Sequence, residues 1–212
     1  MFLLSMTVSI SAVDKKKEEV KEVPLYQGIQ IGLDLFSPMQ ALYSNTWGAG
    51  IKADINLKNK YFPTIEVGFT NLDKISDAGI HCNFSGQYFK AGVNIPLSIF
   101  GEKAENMFFA GAHYGFSAFT YNLENLNYSG NYWGSSVSSF QNEKAVAGWI
   151  EIVAGVRVLV LGPISMGWTL QYKSTLHVSN GENSIPPYIP GYGLNIKPMA
   201  GMAFHLYYRL PF

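Results

Sequence analysis

The segment GMAFHLYYRLPF, residues 201–212, alternates strictly between two kinds of side chain. Met202, Phe204, Leu206, Tyr208, Leu210 and Phe212 share one face, and Gly201, Ala203, His205, Tyr207, Arg209 and Pro211 share the other. Successive residues of a β-strand point to opposite sides, so this pattern predicts a strand between an apolar and a mixed polar environment. Such a strand is typical of a transmembrane barrel.

Composition agrees with a membrane barrel and excludes other classes. Lys plus Arg and Asp plus Glu each total 15, so the net charge is zero and nucleic acid is not an expected partner. Charged residues make up 14% of the chain, against about a quarter in ordinary soluble domains. Aromatic residues reach 15%. No apolar run is long enough for a spanning helix, so any membrane crossing is expected to use strands.

The amino terminus indicates a secreted protein. Residues 1–12, MFLLSMTVSISA, are apolar and end in small residues, which is typical of the rear of a signal peptide, here without its usual basic start. Residues 13–24 are rich in Lys and Glu and are expected to form a flexible periplasmic tail. Residues 25–212 are expected to form the barrel. Cys82 is the single cysteine, so no disulfide is expected.

Period-two alternation predicts eight strands, an even number as in single-chain outer-membrane barrels. The predicted strands cover residues 28–35, 47–57, 61–70, 88–97, 108–118, 149–160, 164–173 and 192–212. Their connections alternate between short and long segments. Those at 57–60 and 161–163 are short, that at 99–106 is of moderate length, and those at 36–46, 71–86, 120–144 and 177–193 are long. The sequence therefore predicts an all-β, up-and-down, antiparallel transmembrane barrel with short periplasmic turns, four long outer loops and both termini in the periplasm.

Alternation alone does not say which face points inward. In a soluble barrel of lipocalin type the apolar face would surround a ligand. The polar face here is rich in glycine, which suits a crowded interior better than a solvated surface. Aromatic residues near the strand ends also resemble the interfacial girdles of membrane barrels; they are Trp47, Tyr61, Tyr172, Tyr208 and Phe212. The membrane barrel is the prediction, and the soluble barrel is the alternative.

The predicted inward face carries charges of both signs. They are Asp34, Lys52, Asp54, Glu66, Lys90, Glu151, Arg157, Lys173, Lys197 and Arg209. Buried charges persist when they are paired and hydrogen-bonded. An eight-stranded barrel has room inside for side chains only, so we expect a plugged interior rather than an ion path.

Catalysis has little support in the sequence. Some small outer-membrane barrels modify lipids with a serine and a histidine, which makes the four histidines candidates: His81, His113, His177 and His205. His113 and Ser117 share a strand face but lie about 13 Å apart, too far for a hydrogen bond. Cys82 next to His81 does not provide a metal-ligand set. We expect no enzyme activity, metal or cofactor, with a lipid hydrolase or acyltransferase as the alternative.

The outer loops are the expected binding surface. Aromatic residues among small polar ones make contact area at low entropy cost, and the candidates are Tyr128, Tyr132, Trp133 and Tyr188. The same rings could instead pack on one another. The expected partners are outer-membrane lipid, lipopolysaccharide, a surface glycan or a protein of a membrane complex.

Three segments resemble a family of small outer-membrane barrels of unknown function from Bacteroidetes. They are FSGQYFKAGVNI (84–95), GWIEIVAGVRV (148–158) and PYIPGYG (187–193). The final phenylalanine resembles the carboxy-terminal signature of bacterial outer-membrane proteins. More broadly, the strand pattern is similar to the eight-stranded domain of outer membrane protein A, without its peptidoglycan-binding domain. The resemblance implies a fold and a location, and it brings no catalytic residues.

Overall fold

The computed structural model describes residues 24–40, 45–76, 79–100, 106–130, 134–179, 181 and 184–211. The predicted signal peptide and nearly all of the predicted tail lie outside these ranges, as do Tyr132, Trp133 and Phe212. The elements are β1 Tyr26–Asp34, α1 Phe36–Gln40, β2 Thr46–Leu57, β3 Phe62–Ile75, β4 His81–Ile99, β5 Met107–Gly130, β6 Gly134–Leu161, β7 Ile164–Val178, β8 Tyr188–Ile189, β9 Gly193–Leu194 and β10 Met199–Arg209. In the described part of the chain, no helix is both long and apolar enough to cross a membrane.

Eight antiparallel strands are hydrogen-bonded in a closed ring, as the alternation predicted. Their order is β1, β10, β7, β6, β5, β4, β3, β2, with β2 returning to β1. Strands β8 and β9 form a separate short hairpin. Within the described residues, the fold is therefore all-β apart from the five-residue helix α1.

Tight turns close one end of the ring, which we call the turn end. Lys58 and Asn59 both have positive φ, at 52° and 55°, between β2 and β3. This conformation matches the type I′ turns that suit two-residue hairpins. Asn56 and Asn59 stabilise the turn, because the Asn56 side-chain amide donates to Asn59 Oδ1 at 2.7 Å. The opposite end, which carries α1 and the β8–β9 hairpin, is called the loop end.

Two long outer loops were predicted where the structure has strand. Most of residues 71–86 belong to β3 and β4, and most of residues 120–144 belong to β5 and β6. Strand β5 pairs with β4 only as far as Glu124, but it pairs with β6 as far as Gly130. The β5–β6 hairpin therefore extends beyond the ring at the loop end.

The last strand also begins later than predicted. It starts at Met199 and not near Tyr192. Residues 188–194 form the β8–β9 hairpin instead, with a turn that includes Gly191 at φ +77°. Pro198 immediately precedes the strand, and proline lacks the N–H that a ladder position needs.

Many apolar side chains of the ring strands are exposed on the outer surface, and most of the charged side chains of the strands are buried inside. Along β7, exposed Met166, Trp168 and Leu170 alternate with buried Thr169 and Gln171. The lipocalin-type alternative required the apolar face to point inward, so it does not hold for this structure. Four of the predicted girdle residues are exposed on the outer surface; they are Trp47, Tyr61, Tyr172 and Tyr208.

Candidate functional site

The interior of the ring holds most of the predicted charge network. Eight of the ten predicted residues are at most 9% exposed. They are Asp34, Lys52, Asp54, Glu66, Lys90, Glu151, Arg157 and Lys173. The polar face of the predicted strands therefore correctly indicated a buried cluster of charged side chains.

Glu151 is the centre of this cluster. Its Oε1 lies 3.4 Å from Lys90 Nζ and 3.7 Å from Lys173 Nζ. The Trp149 indole N–H donates to the same oxygen at 2.7 Å. Lys90 Nζ also lies 3.3 Å from Glu66 Oε1. These contacts join β3, β4, β6 and β7 in the interior, so each of these four charges has a partner of opposite sign.

Strand register explains two of these pairs. Glu66 is directly opposite Lys90 on β3 and β4, and Glu151 is directly opposite Lys173 on β6 and β7. Directly opposed side chains on one face have Cβ atoms about 5 Å apart. The Lys90–Glu151 contact is different, because β4 and β6 are not paired and lie on the two sides of β5.

A second charge pair lies nearer the turn end. The Arg157 guanidinium bonds to the Asp54 carboxylate and to the Gln30 side-chain oxygen. It also lies 3.9 Å from the centroid of the Tyr207 ring. Asp54 accepts another hydrogen bond, from Thr64 Oγ1 at 2.8 Å. The pair is therefore embedded in hydrogen bonds and stacked on an aromatic face.

Two predicted members do not join the cluster. Lys197 is exposed, because it precedes the start of β10 and so has no inward strand position. Arg209 is also exposed, because β10 ends there at the turn end. The prediction that these two residues are buried in the interior was wrong.

The interior has members that the prediction did not include. His113 Nε2 lies 3.0 Å from Asn94 Oδ1. His205 is 1% exposed, and neither of its ring nitrogens has a hydrogen-bond partner in the structure. Both histidines occupy inward positions of their strands, where the alternation placed them, but the predicted network counted charged side chains only.

The histidines do not form a serine–histidine pair among the described residues. Ser117 Oγ donates to the Gln87 carbonyl at 3.0 Å, so both it and His113 are engaged elsewhere. His81 Nε2 contacts Asp73 Oδ1 at 2.6 Å, and His177 is exposed. Within the described ranges, no three His, Cys, Asp or Glu side chains are placed to hold a metal ion. Burial raises the pKa of Cys82.

Aromatic side chains fill the ring at the loop end. Phe84 stacks on Tyr121 with ring centroids 5.3 Å apart, and Trp149 meets Tyr192 edge-on at 5.7 Å. A Cβ on Gly115 would lie 2.2 Å from Trp149 Cε2, so this glycine makes room for the indole. We call this group the aromatic cap; its buried rings are Phe84, Tyr88, Phe119, Tyr121, Trp149 and Tyr192.

The structure places one of the four predicted loop aromatics against this cap. Tyr188 meets Phe84 edge-on at 5.7 Å, and burial raises the pKa of Tyr188 to about 12. Its half-buried ring therefore packs against the aromatic cap. Tyr128 belongs to β5, within the part of the hairpin that extends beyond the ring. Tyr132 and Trp133 lie outside the described residues.

One family of proteins matches this chain over its whole length. The family described as "Domain of unknown function (DUF6048)" matches residues 1–212. No curated protein matches the chain. A closed ring of eight antiparallel strands around a buried charged cluster is thus the structure of a protein that belongs to the DUF6048 family.

Proposed function

We propose that this protein spans the bacterial outer membrane as an eight-stranded barrel with both termini in the periplasm. In this proposal the barrel is a non-enzymatic anchor with a plugged interior. Its extracellular segments bind a partner protein, a surface glycan or lipopolysaccharide. The single observation that carries the proposal is the outward apolar surface around an inward charged cluster.

The height of the apolar surface fits a bilayer. On β7, Met166, Trp168, Leu170, Tyr172 and Leu176 are each between 39% and 65% exposed. At about 3.3 Å per residue, Met166 to Leu176 spans roughly 33 Å of strand. A strand tilted by about 40° turns this length into a band of about 25 Å, the height expected for an outer-membrane barrel.

The outer surface changes from apolar to polar toward the loop end. One register row across β3, β4 and β5 consists of Val67, Phe89 and Phe116, all exposed. The second outward-facing row from there toward the loop end crosses β3 to β6. It is polar and consists of Asn71, Ser85, Thr120 and Lys144. Such a change supports a membrane boundary at this level.

The filled interior supports an anchor rather than a pore. Phe62, Met107, Phe109 and Val153 form a buried cluster toward the turn end. Together with the Arg157–Asp54 pair and the aromatic cap, they occupy the interior along much of its length. The candidate nucleophile Ser117 donates to a backbone carbonyl, which favours a structural role over catalysis.

The β5–β6 hairpin is the proposed contact element. It extends beyond its neighbouring strands at the loop end, and Val137 on it is 64% exposed. It includes Tyr128 and leads to Tyr132 and Trp133. Aromatic side chains among serine, asparagine and glycine provide rigid contact area with adaptable hydrogen bonding.

Cell fractionation combined with gel mobility tests the anchor. We expect the tagged protein in the outer-membrane fraction, with a band that migrates differently before and after boiling. A soluble protein recovered from the periplasm or medium would contradict the proposal.

For the contact role, a variant with residues 125–138 replaced by Asn-Gly should keep the heat-modifiable band and lose binding to cell-surface material. Unchanged binding in that variant would remove the hairpin from the proposal.

A further inference from the structure

Strand β1 ends earlier than the strands on either side of it. It pairs with β10 only where Gln30–Asp34 face Arg209–His205. The Leu35 amide then donates to the Phe204 carbonyl at 2.9 Å. Strand β10 continues to Met199 and β2 continues to Thr46. Within the described ranges, no strand pairs with Met199–Ala203 or Thr46–Gly50 on the β1 side. Helix α1 packs against β2 and β10 beside this gap, and its Phe36 and Ser37 line the cavity found there. We call the gap between β2 and β10 the lateral window.

A cavity of about 550 Å³ lies at the lateral window. Its lining includes Trp47, Leu170 and Met202, which are at least half exposed on the outer surface. Its lining also includes Lys90 and His205, which are buried inside the ring. The cavity therefore connects the outer apolar surface with the charged interior. This volume falls within the range of small-molecule binding sites.

The interior part of the cavity presents charges of both signs. Asp34 and Glu66 supply carboxylates, and Lys90 and Lys173 supply ammonium groups. His205 lines the same cavity with two ring nitrogens that lack hydrogen-bond partners. Glu66 Oε2 lies 3.9 Å from His205 Nε2, too far for a hydrogen bond. Buried polar groups normally have hydrogen-bond partners, so this imidazole can accept a hydrogen bond from a bound polar molecule or donate one to it.

Polarity therefore changes along the cavity in the way an amphiphile requires. An acyl chain would contact Trp47, Leu170 and Met202, and a polar group would reach His205 and the four charged side chains. A group that carries both a positive and a negative charge matches this interior better than an anion does, because the carboxylates would repel an anion. Phosphoethanolamine is such a group.

We propose that the lateral window admits the phosphoethanolamine headgroup of a membrane phospholipid into the interior cavity. This inference rests on the proposed membrane location. Lys90 contacts the phosphate, and Asp34 and Glu66 contact the ammonium, while Lys173 keeps its contacts with Gly191, Tyr192 and Glu151. His205 completes the polar contacts.

Native mass spectrometry in detergent tests this inference. Purified protein is mixed with phosphatidylethanolamine or with an equal concentration of phosphatidylglycerol, both with the same acyl chains. We expect one phosphatidylethanolamine molecule retained per protein, with phosphatidylglycerol held about tenfold more weakly. In Ala203→Trp, the indole fills the cavity and retention is lost. The matched control Ala112→Trp places the same ring on the outer surface of β5 and leaves retention unchanged.

A second, smaller substitution keeps the test valid if Ala203→Trp does not fold. Glu66→Gln removes one carboxylate from the cavity and should reduce the preference for phosphatidylethanolamine over phosphatidylglycerol. Each variant is first checked for its heat-modifiable band in the outer-membrane fraction. A normal band with equal retention of both lipids, or with retention unchanged in Ala203→Trp, overturns this inference alone. Absence of the wild-type band from that fraction overturns the proposed function and this inference with it.

Discussion

Lys173 on β7 donates hydrogen bonds to the carbonyl oxygens of Gly191 at 3.1 Å and Tyr192 at 3.2 Å. The same ammonium group lies 3.7 Å from Glu151 Oε1. One side chain thus joins the interior charge cluster to the β8–β9 hairpin. The segment before the last strand is thereby attached to the ring wall.

The first prediction removes this attachment. Lys173→Met should leave the two carbonyls without their donor and Glu151 with one ammonium neighbour fewer. We expect a loss of about 1–3 kcal/mol in the free energy of unfolding. Hydrogen exchange should accelerate at residues 189–194 more than in the ring strands. Uniform acceleration across the ring would contradict a local role for Lys173.

The second prediction concerns the Arg157–Asp54 pair. Arg157→Met leaves the Asp54 carboxylate buried without its guanidinium, which should cost about 3–5 kcal/mol. The measurement is urea unfolding in lipid vesicles. The double variant Arg157→Met/Asp54→Leu should recover much of the loss, because it removes both charges. Arg209→Met is the matched control at an exposed position, with an expected change of at most about 1 kcal/mol. Equal losses in the free energy of unfolding for Arg157→Met and Arg209→Met would contradict the interior pairing.

Sequence periodicity predicted the ring but not its contacts. Side chains alternate strongly where a strand separates an apolar surface from a polar interior. The strands that contain Ile150 and Trp168 could therefore be recognised from the residues alone. The pairing of Glu66 with Lys90 follows from strand register, and the Lys90–Glu151 contact follows from the position of β4 and β6 on the two sides of β5. Neither is visible in one segment of sequence. Lys197 was predicted to point inward because the alternation does not show at which residue the last strand begins.

The prediction failed where the alternation weakens. Polar residues such as Asn122, Glu124 and Asn125 read as loop, yet they continue β5. Beyond the apolar band both faces of a hairpin are expected to meet water, so the apolar half of the pattern disappears while the backbone pairing continues. The lateral window also depends on where β1 stops relative to β10, which is a relationship between distant parts of the chain.

The third prediction tests which tryptophans meet lipid. Trp168 is 61% exposed on the outer surface, and Trp149 is fully buried in the aromatic cap. Variants that keep only one tryptophan, with the others changed to phenylalanine, are reconstituted in vesicles that contain brominated acyl chains. Bromine should quench the fluorescence of the Trp168-only variant strongly and that of the Trp149-only variant weakly. Similar quenching of both would contradict the assignment of inner and outer faces.

The fourth prediction concerns pH and His81, which lies at the loop end of β4 beyond the apolar band. The hydrogen bond to Asp73 at 2.6 Å, followed by the contact with Glu124 at 3.5 Å, raises the pKa of His81 above its usual 6.5. A raised pKa in the folded state means that protonated His81 stabilises the fold. This stabilisation is complete below the unfolded-state pKa and is lost as pH rises through the folded-state pKa.

The affected region is the connection between β3 and β4, where the Ser76 amide donates to the Ile80 carbonyl at 2.8 Å. After correction for the intrinsic pH dependence of exchange, the Ser76 amide should exchange faster as pH rises through the pKa of His81. Asp73→Asn removes the first of the two carboxylates and should lower the pKa of His81, as read from the chemical shifts of its ring protons. A His81 pKa at or below 6.5 in the wild-type protein would contradict the contact. So would Ser76 exchange that does not change with pH, because charged His81 would then contribute nothing to closing the ends of β3 and β4.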